Sequence, residues 1–270
     1  MYYISTRGNG GKVTSAQAIK QGIAADGGLF VPETLPVFSE PELREMLGMS
    51  YSERAVHILG KFLCDYSEEE LSGYCEKAYS EENFRSGGTP APVINLNDRI
   101  SVLELYHGPT SAFKDMALQL MPYLLAGALE KTGEKRDAFI LTATSGDTGK
   151  AALEGYRDAP RVKIMVFYPV DGVSRIQKLQ MSTQTGENVF VCPVEGNFDD
   201  AQSGVKRIFS DETAIDYLSE RGYFFSSANS INWGRLAPQI VYYVSAYCDM
   251  VKSGTIEFGD EIDVCVPTGN

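Results

Sequence analysis

One stretch of the chain carries a lysine in a setting that suits covalent chemistry. The segment 103–116 reads LELYHGPTSAFKDM and places Lys114 between an aromatic and an acidic residue, shortly after a turn at Gly108 and Pro109. A lysine that attacks a carbonyl group must be unprotonated, and apolar surroundings and a nearby helix N-terminus both favour the uncharged amine. A lysine chosen at random is usually exposed and ion-paired. We assign Lys114 a chemical role because two further motifs agree with it.

The second motif predicts an anion site. The segment 142–149 reads TATSGDTG, follows an apolar strand pattern and opens a helix. Backbone N–H groups and the hydroxyls of Thr144, Ser145 and Thr148 would then meet at a helix N-terminus. Open α/β sheets bind ligands at this place, beyond the carboxyl end of a strand. The spacing is not that of a P-loop, because Thr144 stands where that motif has glycine. A tight structural turn explains the pattern equally well.

The third motif joins a strand to a long helix. The segment 228–235 reads ANSINWGR, and we expect Ser230, Asn232 and Arg235 to converge at the start of the helix. The planar guanidinium of arginine matches two phosphate oxygens at once, so this group of residues suits a phosphate. The simpler alternative is a helix cap at Ser230 with Arg235 in a salt bridge.

Alternating strands and helices position these motifs. The second half of the chain has strand patterns at 138–143, 162–168, 188–194, 223–225 and 262–267, and helical patterns at 150–156, 174–181, 199–209, 211–220 and 232–252. This order predicts an α/β fold with parallel sheets flanked by helices. The lysine begins a helical pattern at 112–131, for which Thr110 or Ser111 is the expected cap and Pro122 a kink or a later start.

The first part of the chain has a different pattern. It predicts strands at 1–7 and 25–32 and helices at 15–23, 41–46, 52–62 and 67–79. A connector rich in glycine and proline follows at 83–98, and a strand at 100–105 leads into the lysine motif.

Composition and charge exclude several classes of function. The chain has 270 residues and a formal net charge of −12. Nucleic-acid binding requires a basic surface, so we expect no nucleic-acid partner. The five cysteines form no CxxC pair and have no histidine at zinc spacing, which predicts a reducing cytoplasm and no metal site. No apolar run is long enough for a membrane span.

The motifs together resemble those of one enzyme family. The lysine segment at 104–115, the TSGDTG turn and the N-S-x-N-x-x-R pattern are similar to segments of threonine synthases, pyridoxal-phosphate enzymes of fold type II. The N-terminal pattern STRG, followed by a helix and DGGLFVP, resembles the same family. The resemblance covers nearly the whole chain. It implies a fold like that of the tryptophan synthase β subunit and a chain that is the N-terminal portion of such an enzyme, truncated before the rest of its large domain.

The resemblance implies pyridoxal 5′-phosphate as the cofactor. Lys114 would bind it covalently, and Asp147 would lie near its 3′-oxygen. Gly269 and Asn270 would begin the loop that cradles the cofactor phosphate.

The resemblance also implies a small-molecule substrate, O-phospho-L-homoserine, which reacts with water to give L-threonine and phosphate. The implied substrate-binding residues are Thr144, Ser145 and Thr148 for the carboxylate, and Ser230, Asn232 and Arg235 for the phosphate.

The implied domain organisation has two parts. Residues 106–254 would form the smaller domain, while 1–105 and 255–270 would belong to the larger one. We expect the isolated chain to be inactive or nearly so, because half of the cofactor cradle would be missing. The alternatives are another fold type II lyase, such as a dehydratase or β-replacement enzyme, and a non-catalytic anion-binding fragment. The sequence does not predict an oligomeric state.

Overall fold

The computed structural model describes residues 1–267. Its N-terminal region has two short antiparallel strands, β1 (Tyr3–Ser5) and β2 (Phe30–Pro32). The helices of this region are α1 (Ser15–Gln21), α2 (Glu40–Met46), α3 (Tyr51–Phe62) and α4 (Glu68–Ala78). In α1, α3 and α4 the hydroxyl of the cap accepts a backbone N–H, and a Glu or Gln three residues later bonds back to the cap. This local spacing explains why the predicted helices are confirmed.

A β-hairpin stands where the sequence predicted an irregular connector. Strand β3 (Val93–Asn97) pairs antiparallel with β4 (Ile100–Leu103), so the connector prediction at 83–98 was wrong in its second half. The Asn97 side chain closes the turn, since its Oδ1 accepts the N–H groups of Arg99 and Ile100. Such Asn turns join hairpin strands, and β4 ends two residues earlier than predicted.

The lysine segment forms two helices instead of one. These are α5 (Asp115–Leu118) and α6 (Met121–Lys131). Pro122 occupies the first turn of α6, where its missing N–H costs no helical hydrogen bond. The predicted effect of Pro122, a later helix start, is therefore confirmed.

The remaining elements form the predicted parallel sheet flanked by helices. In chain order they are β5 (Asp137–Ala143), α7 (Asp147–Gly155), β6 (Val162–Pro169), α8 (Arg175–Ser182), β7 (Val189–Val194), α9 (Phe198–Phe209), α10 (Glu212–Ser219), β8 (Tyr223–Ser226) and α11 (Trp233–Lys252). The sheet order is β7-β6-β5-β8, and all three pairings are parallel. Strand β5 lies between β6 and β8, so the turn that follows it stands at the carboxyl end of an inner strand.

The strand predicted at 262–267 was wrong. Residues 261–266 have no regular secondary structure, and Val264 is largely exposed. An alternating apolar pattern becomes a strand only when a neighbouring strand accepts its hydrogen bonds, and within residues 1–267 this segment pairs with none.

The N-terminal region shares one core with the sheet-bearing part. Buried tyrosines connect the two: the hydroxyl of Tyr66 donates to the carbonyl oxygen of Leu124 at 2.8 Å, and that of Tyr79 to Met116 at 2.9 Å. Helix α11 packs against α1, α3, α5 and α6 and so crosses the centre of this core. Within residues 1–267, no helix combines the length and apolarity that crossing a bilayer requires. The same residues contain no cluster of His, Cys, Asp or Glu arranged to hold a metal ion.

Candidate active site around Lys114

A buried aspartate shapes the turn before the lysine. Asp115 is fully buried; it accepts the Thr110 N–H at 2.9 Å and the Thr110 hydroxyl at 2.7 Å. Burial raises the pKa of the Asp115 carboxyl, and these hydrogen bonds oppose that rise. A Cβ on Gly108 would lie 2.5 Å from the Cβ of Asp115, so the turn needs glycine there. The predicted cap was wrong: the Thr110 hydroxyl donates to Asp115, and Lys114 occupies the N-cap position.

Lys114 lies against an acid and an aromatic ring. Its Nζ donates to Oδ2 of Asp147 at 2.8 Å and lies 4.1 Å from the centre of the Phe113 ring. The lysine side chain is 16% exposed and that of Asp147 is 46% exposed. Lys114 therefore forms an ion pair, as the structural alternative proposed, but in a mostly enclosed position. Asp147 begins α7, where a negative charge is favoured by the helix dipole.

Arg235 approaches the same phenylalanine from α11. Its Cζ lies 5.9 Å from the centre of the Phe113 ring, and the residue is 2% exposed. Nε and Nη1 are buried and make no hydrogen bond within residues 1–267. Burial lowers the pKa of Arg235 to about 10, which leaves the side chain charged at neutral pH. The salt bridge of the simpler alternative is not formed within residues 1–267. Two buried guanidinium nitrogens without a hydrogen-bond acceptor are suited to an anion from outside the fold.

In the turn at 144–149, the predicted ligand Thr144 forms hydrogen bonds to the backbone of the turn. The Thr144 hydroxyl oxygen accepts the N–H groups of Gly146 at 3.0 Å and Gly149 at 2.9 Å, and the side chain is buried. Thr144 therefore shapes the turn, and since its own O–H remains available as a donor, its predicted contact with a carboxylate stays a prediction. Ser145 is exposed and Thr148 is half-buried beside the first turn of α7. These two hydroxyls and the free N–H groups of that helix end form the candidate anion site.

The three predicted residues of the third motif differ in burial and in their hydrogen-bond partners. The amide of Asn232 is fully buried; it donates to the carbonyl oxygens of Ile19 and Ser227 and accepts the Gly234 N–H. Both amide hydrogens are thus used by the fold, and Asn232 caps α11, while its predicted contact with the substrate stays a prediction. Ser230 is exposed, whereas Arg235 is buried. The expectations for Gly269 and Asn270 lie outside the described residues.

Two residues near the site were missed in the sequence. The hydroxyl of Tyr156, at the end of α7, is buried without a hydrogen bond among residues 1–267, and its electrostatic neighbour is Arg235. Gln177, on α8, lies against Gly146 in the turn. Tyr156 follows the helix that the second motif opens, and Gln177 belongs to the capping box of α8, but neither local pattern indicates a position beside Arg235 or Gly146.

Comparisons with known proteins agree on a family. A family model described as Threonine synthase N terminus matches residues 2–79. The chain is 44% identical over 264 residues to human threonine synthase-like 1, and the aligned region covers 94% of this chain and 35% of that protein. It is 39% identical over 272 residues to threonine synthase of Pseudomonas aeruginosa, with coverages of 100% and 55%. The structure of PLP-bound threonine synthase from Brucella melitensis matches with a TM-score of 0.83 and 38% identity, covering 93% of this chain and 52% of that one.

The fold is that of the fold type II pyridoxal-phosphate enzymes. The chain belongs to the threonine synthase family and corresponds to the N-terminal portion of its members. Pyridoxal phosphate is accordingly the cofactor of the family. The chain spans 35% and 55% of the two curated relatives described above. The predicted resemblance, fold class and cofactor are confirmed, whereas the domain boundaries, the cytoplasmic location and the roles of individual site residues stay predictions.

Proposed function

We propose that this chain carries the lysine, carboxylate-binding and phosphate-binding parts of a threonine synthase site. The reaction is the conversion of O-phospho-L-homoserine and water into L-threonine and phosphate. The observation that carries this proposal is the pair of cations beside one ring: Lys114 and Arg235, whose Nε and Nη1 make no hydrogen bond within residues 1–267, both lie near Phe113. A reactive amine close to a free anion-binding group suits an amino acid that bears a phosphate.

The residues present fit a pyridoxal-phosphate site. The Lys114 amine is mostly enclosed, it lies beside an aromatic ring, and its partner Asp147 begins a helix beyond the carboxyl end of β5. When bound, the cofactor supplies an aldehyde for the amine and an electron sink for the substrate.

Three groups of this chain have separate tasks in the proposal. Lys114 moves protons at Cα and Cβ of the substrate, and Asp147 holds the amine in place through its 2.8 Å hydrogen bond. Ser145 and Thr148 bind the carboxylate. Arg235 stabilises the charge that develops on the phosphate leaving Cγ, because its buried guanidinium acts in surroundings of low dielectric.

The proposed site needs groups beyond this chain. The chain spans only part of its relatives, and we propose that 1–105 and 255–270 pack with the remainder of a larger domain. The hairpin is consistent with this arrangement, since Ile94, Leu96, Ile100 and Val102 are exposed. We expect the isolated chain to release little or no phosphate from O-phospho-L-homoserine.

Ligand binding tests the phosphate assignment without requiring turnover. We would measure, by calorimetry, the binding of O-phospho-L-homoserine and L-homoserine to the chain in the presence of pyridoxal phosphate. The phosphorylated ligand should bind at least about tenfold more tightly, a difference of about 1.4 kcal/mol. Arg235→Met should remove this preference, while Arg157→Met, at an exposed arginine paired with Glu154, should retain it. A wild-type chain without the preference would contradict the proposal and favour a different fold type II lyase.

A further inference from the structure

Gln177 lies against the middle of the turn at 144–149. Gly146 has φ +152° and ψ −94°, and a Cβ there would lie 2.5 Å from each of Cδ, Nε2 and Oε1 of Gln177. Equal distances to all three atoms mean that the side-chain amide of Gln177 fills the space that a side chain at position 146 would need. The glycine and the glutamine therefore fit each other, and any side chain at 146 would displace the amide.

The orientation of this amide is set by a helix cap. Oε1 of Gln177 accepts the N–H of Ser174 at 3.3 Å and its hydroxyl at 3.1 Å, while Ser174 Oγ accepts the Gln177 N–H at 3.2 Å. This reciprocal capping box identifies which end of the amide is oxygen. The NH₂ end is left on the side away from Ser174, with two donor hydrogens beside the turn.

We propose that Gln177 is a specificity-determining residue of the carboxylate-binding turn. Its amide supports Gly146, and its NH₂ group keeps the turn receptive to an anion next to Ser145 and Thr148. This inference rests on the proposed function, because it deepens the role of the same turn. A carboxylate side chain at 177 would keep the shape and the cap but would place a negative charge against the ligand.

The test compares two ligands that differ only in the carboxylate. Calorimetric binding of L-threonine and L-threoninamide would be measured for the wild-type chain, for Gln177→Glu and for Gln180→Glu, each with pyridoxal phosphate present. Gln177→Glu should weaken L-threonine binding at least about tenfold and L-threoninamide binding less than about twofold. Gln180→Glu adds the same charge one turn further along α8 and should change both by less than about twofold. Equal effects of Gln177→Glu on the two ligands would overturn the proposal.

A second measurement tests the contact without any ligand. Gly146→Ala should lower the thermal unfolding midpoint, and Gln177→Ala in the same chain should recover part of the loss, because it clears the space that the new methyl group needs. Independent, additive shifts would overturn the proposal. The unfolding shifts of the two variants could instead be coupled while the wild-type chain binds L-threonine and L-threoninamide equally well. That result would contradict the carboxylate assignment in the proposed function.

Discussion

Two buried arginines differ in their surroundings: Arg235 lies in the first turn of α11, and Arg54, on α3, contacts the C-terminal half of α11. Arg54 and Arg235 are each 2% exposed. Arg54 donates through Nε to the carbonyl oxygen of Met46 and through Nη1 to Ser245 and to Asp249 at 2.6 Å. Arg235 has no acceptor for Nε or Nη1 within residues 1–267. Arg54 completes a hydrogen-bond network of the fold, whereas the buried guanidinium of Arg235 has nitrogens for which residues 1–267 provide no acceptor.

This difference separates stability from function. A buried charge without a partner costs free energy, so a fold that contains one is less stable than it could be. We therefore expect substitutions at the two arginines to have opposite effects on stability, and ligand binding to depend on Arg235 alone.

The largest expected effect is at the partnered arginine. Arg54→Met should lower the free energy of unfolding by about 3 kcal/mol, because it leaves the Asp249 carboxylate and two carbonyl groups without their donor. Urea unfolding followed by circular dichroism measures the change. A loss below about 1 kcal/mol would mean that the network around Arg54 adds little to the fold.

A smaller effect of opposite sign is expected at the open arginine. Arg235→Met should leave the free energy of unfolding unchanged or raise it by about 1 kcal/mol, since it removes a desolvated charge and keeps an apolar chain of similar length. The same urea measurement applies. A marked destabilisation would show that Arg235 has a structural partner and would break the comparison.

Two buried threonines repeat the comparison with neutral groups. Thr110→Val removes the hydroxyl that donates to Asp115 and should cost about 1 kcal/mol. The hydroxyl of Thr142 is buried without a hydrogen bond among residues 1–267, so Thr142→Val should cost nothing or stabilise slightly. Thermal unfolding of the two variants side by side measures the difference, and equal costs would contradict it.

The smallest expected effect is that of an ion pair near the surface. The hydrogen bond from Arg136 lowers the pKa of Glu134 to about 2, below its ordinary value of 4.5. The carboxylate thus stabilises the fold above pH 4.5, and this contribution is lost as the pH falls from 4.5 towards 2. Glu134→Gln should remove less than about 1 kcal/mol at neutral pH and flatten the stability curve over that interval. A free energy of unfolding that falls with decreasing pH as steeply in Glu134→Gln as in the wild-type chain would contradict this prediction.

Local signals made much of this fold predictable. Helical patterns indicated helices α1, α3 and α4, each of which begins with a capping box in the structure, and the alternation of apolar runs with helical patterns indicated the parallel sheet. Lys114 and Arg235 could be selected because their motifs lie at element ends, where open sheets bind ligands. The structure brings both of these residues to the Phe113 ring.

The remainder depends on contacts that no local pattern encodes. Thr110 resembles a helix cap, yet its hydroxyl turns to a buried aspartate five residues later. Asn232 resembles a ligand, yet its amide joins α11 to Ile19, over two hundred residues earlier. The segment 262–267 has a strand pattern but no strand to pair with in the described part of the chain. The partner of Asn232 is thus distant in sequence, the partner of Thr110 lies within the same turn, and the segment 262–267 lacks a neighbouring strand.

The central claim is that Lys114 is the lysine that reacts with the cofactor. The direct test is to add pyridoxal phosphate to the chain, record the visible absorption, reduce with borohydride and map the labelled peptide by mass spectrometry. We predict a single dominant label on Lys114 that is lost in Lys114→Arg, with little label on the exposed Lys12. Label spread over several surface lysines, or no label on Lys114, would contradict the account.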